Sequence, residues 1–268
     1  MPELIKVEHL RRVFTGHGKR PDIVAVSDIS FTVNSGDALA IVGESGSGKT
    51  TVARMLLGLE QPSSGTITVK GAVRSPRQPS AAERRKRAKE IQIVFQDPYS
   101  SLDPRQTVGA AIEDALRLGG TTEKAQLKPR TIELLESVGL RRDRLSARPR
   151  ALSGGQRQRV AIARALAAEP EVLVLDEAVA ALDVSTQAQI LNLLNDVRRR
   201  TGVAFIFITH DLAVVNQVCT TCLVMRQGEL VEFGETREVL GNPSSAYTRQ
   251  LRDAVPRAGW RPHRRAEA

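Results

Sequence analysis

The chain is short of aromatic side chains, of cysteine and of acid. Phe, Trp and Tyr together make up 3% of its 268 residues, so a core has to be assembled from aliphatic groups. Hydrophobic residues still amount to 41%, enough for a substantial core and against general disorder. The two cysteines, Cys219 and Cys222, are spaced C-x-x-C. Structural zinc wants four ligands, and no second pair accompanies them. They lie in an otherwise apolar, Thr-rich stretch and read as small core hydrophobes. No stretch approaches the ~20 apolar residues that cross a bilayer; runs such as Val203 to Ile208 have strand length. The opening Met1-Pro2-Glu3-Leu4-Ile5-Lys6 lacks a basic segment followed by an apolar one, so a cytoplasmic location is expected. Lys plus Arg is 39 against 30 for Asp plus Glu, a net charge of +9. That excess suits nucleotides, nucleic acid or an anionic membrane face and chooses none of them.

Strand and helix signals alternate along the chain. Ile29 to Val33 reads as a strand, and Asn34-Ser35-Gly36-Asp37 as a turn. Ala38 to Val42 reads as a buried strand running into a glycine-rich segment and then a helix to about Leu59. Thr66 to Val69 and Ile91 to Phe95 are strand-like, and the basic 71–90 region reads as a loop with a solvated helix. From about 97 to 160 the apolar spacing is helical, as at Val108, Ala111, Ile112, Ala115 and Leu116. Beyond it, strand Val172 to Leu175, helix Thr186 to Arg200 and strand Val203 to Thr209 restore the alternation. Such alternation predicts an α/β fold with a largely parallel sheet and a helical insertion. Residues 257–268 are Arg-rich and read as a loose tail.

Three short segments carry chemistry. Gly43-Glu44-Ser45-Gly46-Ser47-Gly48-Lys49-Thr50 fits G-x-x-x-x-G-K-[ST], with Thr51 following. Glycines let the backbone curl until successive N–H groups share one concave space, and a helix N-terminus adds its own preference for anions. Lys49 is placed for the β- and γ-phosphates of ATP and Thr50 for Mg²⁺. Val172 to Leu175 is continuously apolar, as a buried parallel strand is, and ends in Asp176-Glu177 where ligands sit in α/β sheets. Asp176 is expected to support Mg²⁺ and Glu177 to act as general base on the attacking water. Leu152-Ser153-Gly154-Gly155-Gln156 opens a helix over Arg157 to Ala168 and forms a second anion site. Two phosphate grips on one chain predict a head-to-tail dimer, each copy capping the other's nucleotide.

With these segments in place the chain resembles the ATP-binding subunit of ABC transporters over about residues 3–252. The resemblance implies a P-loop ATPase with a RecA-like parallel core, an antiparallel β subdomain and a helical subdomain over about 97–160. It implies further roles. Gln96 matches the glutamine that contacts Mg²⁺ and faces the permease; Ala181-Leu182-Asp183 matches the D-loop; His210 matches the switch histidine near the γ-phosphate; Phe14 stands where an aromatic stacks on adenine. Phe95 to Arg105, and Ala246-Tyr247-Thr248-Arg249, resemble segments of oligopeptide, dipeptide and nickel importers. Transmembrane permease subunits, a second ATP-binding subunit and a solute-binding protein are the implied partners, with no nucleic acid. The implied place is the cytoplasmic face of the cell membrane. The chain departs from the family pattern at Arg148-Pro149-Arg150-Ala151, at Ala180, and at Cys219 to Cys222. One set of motifs argues against the paired cassettes of translation ATPases. The short gap between phosphate loop and signature leaves no room for the coiled coil of repair ATPases.

Overall fold

The computed structural model describes residues 2–254, apart from 17, 19–20, 75–79, 98–100 and 122. The tail expected over 257–268 and part of the importer-like segment after Gln96 therefore lie outside the described residues.

The first long hairpin is β1 (Glu3–Phe14) against β2 (Ile23–Asn34), paired antiparallel from Glu3↔Asn34 to Phe14↔Ile23. The Ile29 to Val33 expectation covers only the buried half of β2. The ladder continues outward to Ile23 because cross-strand pairing extends a strand beyond its apolar stretch. β4 (Ser64–Val69) joins the other side of β1, and β5 (Ala72–Val73) borders β4.

The second sheet contains β3 (Ala38–Val42), β6 (Ile91–Val94), β7 (Val172–Asp176), β8 (Ala204–Thr209), β9 (Thr221–Arg226) and β10 (Glu229–Glu235) in the order β10-β9-β3-β8-β7-β6. Every pair is parallel except the hairpin β9–β10. Side chains alternate across a strand, and both faces are used. On one face Ala38, Ala40, Val42, Leu173, Leu175, Phe205 and Phe207 pack under helices. On the other, Leu39, Ile41, Val172, Val174, Ile206 and Ile208 pack against the antiparallel sheet. That two-sided burial explains the unbroken apolar runs in the sequence.

Helix α1 (Lys49–Leu56) follows β3 and shares the face of the antiparallel sheet through Val52, Met55 and Leu56. It stops short of Leu59 because Gly58 turns at φ +71°, a left-handed conformation that ends helices. Helix α2 (Ala81–Glu90) leads into β6. Between β6 and β7 run α3 (Val108–Leu118), α4 (Lys124–Ser137), two 3₁₀ turns and α5 (Gly154–Leu166). Helix α6 (Val184–Thr201) connects β7 to β8, and α7 (Leu212–Val218) connects β8 to β9. After β10 come α8 (Thr236–Gly241) and α9 (Ala246–Asp253). Among the described residues no helix is long and apolar enough to cross a membrane.

Cys219 and Cys222 both sit in the helical-face core, as free thiols. Burial raises both far above the ordinary thiol range, with Cys222 pushed up to about 12.

Candidate functional site

The strands β3, β7 and β8 end side by side, and the chain leaving each turns over the same edge of the sheet. From β3 comes the loop Gly43 to Gly48. Gly43 has φ +152°, and a Cβ there would lie 2.2 Å from the Met225 carbonyl oxygen. Gly48 has φ +101°, and a Cβ there would lie 2.3 Å from the Ala25 carbonyl. Both positions exclude a side chain on conformation and on space alike. The loop is thus wedged between the β9–β10 turn and β2, and the Gly228 N–H donates to the Ser47 carbonyl at 3.0 Å.

Lys49 opens α1 with its ammonium folded back into the loop. Nζ donates to the carbonyls of Gly43 at 2.8 Å and Glu44 at 2.7 Å, and to Ser47 Oγ at 3.3 Å. Burial pushes its proton affinity below the ordinary lysine value, against the opposing pull of Glu177, Asp176 and Glu44. From β7 comes Asp176, 8% exposed, with Thr50 hydrogen-bonded to its side chain. Burial raises its carboxyl above the usual range, and neighbouring Glu177 adds to that; Lys49, Arg54 and the Thr50 bond oppose it. Glu177 turns the backbone at φ +48°, and its N–H donates to the Ile208 carbonyl at 2.8 Å. From β8 comes His210, whose Nδ1 is 3.2 Å from Glu177 Oε1.

A cleft of about 420 Å³ is lined by Ser45, Gly46, Gly48, Lys49, Thr50, Thr51 and Glu177; Asp176, bonded to Thr50, and His210, bonded to Glu177, stand behind that lining and are not part of it. Its other wall is Ile23, Val24, Ala25 and Gln227, none of which the motifs point to. Strand β2 supplies the first three, brought there by pairing with β1. The only local signal is their exposure: Ile23 and Val24 are large apolar residues left open. Phe14 pairs with Ile23 at the end of the same ladder and is 37% exposed. The Arg12 guanidinium lies over its ring at 4.5 Å and pairs with Glu60 at 2.8 Å. Phe14 therefore stands beside this wall but does not line the cleft. A larger cavity of about 910 Å³ lies at the opposite ends of the strands, against Leu4, Leu134, Pro170 and Val203, away from the glycine loop.

Ser153, Gly154, Gly155, Gln156, Gln96 and Asp183 do not line the cleft either. Ser153 caps α5: its Oγ accepts the Gln156 N–H at 3.3 Å, and Gln156 Oε1 accepts the Ser153 N–H at 3.1 Å. This reciprocal cap starts the helix at Gly154 rather than at Arg157. Gly155 packs so tightly on α6 that a Cβ would lie 2.4 Å from Thr186 Cγ2. Asp183 caps α6, accepting from Ser185 and from the Thr186 N–H, which holds its carboxyl down at about 2. Gln96 is exposed just past β6. The segment after it is tied to α5 by Arg164, which donates to the Ser101 carbonyl.

The site can hold a polyanion. Glycine-loop amides, a helix N-terminus and the Lys49 ammonium border it together with the Glu177 carboxylate, which His210 contacts. Among the described residues no group of three His, Cys, Asp or Glu is placed to bind a metal unaided. Thr50 with Asp176 offers hard oxygen donors that suit Mg²⁺ completed by phosphate oxygens.

Comparison with known proteins follows the same lines. Residues 26–180 match the model of the ABC transporter family. A provisionally named peptide import ATP-binding protein of Brucella abortus is 45% identical over 259 residues, which is 95% of this chain and 77% of that protein. The glutathione import ATP-binding protein GsiA of Salmonella typhimurium is 47% identical over 243 residues, 91% of this chain but 39% of that longer protein. Among solved structures, CbiO1 of Clostridium perfringens, part of the transporter complex CbiONQ, has a TM-score of 0.80 at 29% identity, covering 97% of this chain and 98% of its own. The dimeric ATP-binding cassette MJ0796 in a post-hydrolysis state with ADP and Pi has a TM-score of 0.77 at 27% identity, covering 87% and 99%.

Proposed function

Because this chain belongs to the ABC transporter family, we propose that it is the ATP-hydrolysing subunit that powers import of a solute, a peptide in the first instance, through a separate permease. One observation carries the reading: the glycine loop with Lys49 and Thr50, and Glu177 after β7, line a single cleft, with Asp176 bonded to Thr50 behind it. The relatives named for peptide and glutathione import support the direction and the solute class.

In this reading the loop amides and Lys49 hold the β- and γ-phosphates of ATP and offset the charge that develops in transfer. Thr50 and Asp176, with Gln96, would hold Mg²⁺, which when bound supplies charge neutralisation between those phosphates. Glu177 accepts the proton of the attacking water. His210 fixes the direction of the Glu177 carboxylate through the bond at 3.2 Å and meets the γ-phosphate with its other face. Phe14 offers the ring face not covered by Arg12 to adenine.

Ser153 to Gln156 do not line the cleft of their own chain, so they would serve the nucleotide of a second ATP-binding subunit. The exposed N-terminus of α5 leaves Gly154 and Gly155 amides available for that use. Asp183 would meet the same partner. Closure of the two subunits would move α5, and with it the segment after Gln96 through the Arg164 bond. The chain would then work at the cytoplasmic face of the membrane, fed by a solute-binding protein on the far side.

The test is ATP turnover and assembly by the purified chain. Wild type should hydrolyse ATP, and Glu177→Gln should bind ATP and accumulate a closed dimer visible by light scattering. A Glu177→Gln variant that turns over at the wild-type rate would remove Glu177 as base. A permease pair that copurifies and restores peptide uptake in vesicles would secure the import reading.

A further inference from the structure

We propose that Tyr247 is a positioning residue for ATP binding: from the C-terminal helix α9 it fixes the entry of the phosphate loop. The inference rests on the ATPase reading above. Tyr247 Oη accepts the backbone N–H of Glu44 at 3.2 Å, across most of the length of the chain. The Glu44 carbonyl, one bond set further on, accepts Lys49 Nζ at 2.7 Å. One residue of the loop is therefore held at both polar ends, by Tyr247 on one side and by the phosphate-binding ammonium on the other. Glu44 supplies the shortest of the three bonds that aim Lys49, and Tyr247 holds Glu44 from its amide side.

The tyrosine is itself rigidly held. It is 5% exposed, and the Arg226 guanidinium lies over its ring at 4.9 Å. Arg226 closes β9, one residue after Met225, whose carbonyl abuts Gly43. The start of α9 is clamped from β10: Glu232 accepts the Ser244 N–H at 2.9 Å and the Ser245 N–H at 3.2 Å. The Tyr247 hydroxyl gives the Glu44 N–H its acceptor, and a buried donor left without one is costly. The residue does not line the cleft, so its action is through Glu44 and Lys49 and not on the substrate.

Tyr247→Phe tests this, because it keeps the ring, its burial and the stacked arginine and removes only the acceptor. The Kd of a fluorescent ATP analogue on the full chain, and the KM for ATP, should rise about threefold to tenfold, the range that one neutral hydrogen bond provides. kcat should stay within about twofold and Tm within a few degrees. Tyr247→Leu is the packing control and should lower Tm more than Tyr247→Phe does. Unchanged Kd and KM in Tyr247→Phe, with or without a lower Tm, would overturn the inference and leave Tyr247 a packing residue. Failure of the wild type to bind the analogue at all is a different result, and it would overturn the ATPase reading together with this one.

Discussion

His210 Nδ1 stands 3.2 Å from Glu177 Oε1, a bond between residues that follow the neighbouring parallel strands β8 and β7. His210 is far the more open of the two, its side chain 63% exposed against 23% for Glu177. The histidine is therefore the partner that a substrate reaches from solvent, and its bond holds the more buried carboxylate in direction. Removing the carboxylate charge by Glu177→Gln should lower kcat by about a hundredfold or more with ATP affinity kept, as loss of a general base does. His210→Ala should also lower kcat with little change in Kd, and steady-state ATPase assays beside equilibrium binding separate the two effects. Equal losses of binding in both variants would show that the pair builds the pocket instead of running the reaction.

Asp176 carries a prediction about pH. Its carboxyl is raised above the ordinary value of 3.8, chiefly by burial and then by Glu177. The folded chain thus binds its proton more tightly than the unfolded chain does. Stability from this group is full below about 3.8 and is lost as pH rises through the folded value. Asp176→Asn removes that loss. The variant should melt at a higher temperature than wild type near pH 8, with the advantage shrinking toward acid pH, while hydrolysis disappears. Melting curves across pH check the sign, and a variant less stable at every pH would refute it.

Gly155 predicts a compensating pair. Gly155→Ala should destabilise by about 1–3 kcal/mol, because the new methyl meets Thr186 Cγ2 at 2.4 Å and α5 has to shift on α6. Thr186→Ser deletes that methyl and keeps the backbone N–H that Asp183 caps. The double variant should recover most of the loss in a denaturant titration. Additive losses in the double variant would place the strain elsewhere.

The cysteines predict silence. Burial holds Cys222 at about 12 and Cys219 raised as well, so neither offers thiolate near neutral pH. A thiol reagent such as DTNB at pH 8 should label the native chain slowly and both sites quickly once the chain is unfolded. Rapid native labelling would mean that the core around β9 opens.

What the sequence made legible was chemistry held by adjacent residues. The glycine loop, Lys49, Thr50 and the acids after β7 are read directly because each motif is one strand end and one turn. The apolar runs of β3, β7 and β8 identify the central sheet because both faces of each strand are buried. The wall formed by Ile23, Val24 and Gln227 was not legible, since it depends on a hairpin register and a turn far along the chain. Tyr247 belongs to a segment that resembles importers, but its contact with Glu44 follows only from where α9 packs. Helix ends also differed from periodicity at α1 and α5, where a left-handed glycine and a reciprocal cap decide the boundary.

Glu177 occupies a region of backbone space that glycine and asparagine enter easily and glutamate does not, at φ +48°. An acid at this backbone position works against folding. A library selected for heat resistance alone should drift toward Gly or Asn at this position, and one selected for growth on the imported nutrient should return to Glu. The two selections pull a single codon in opposite directions.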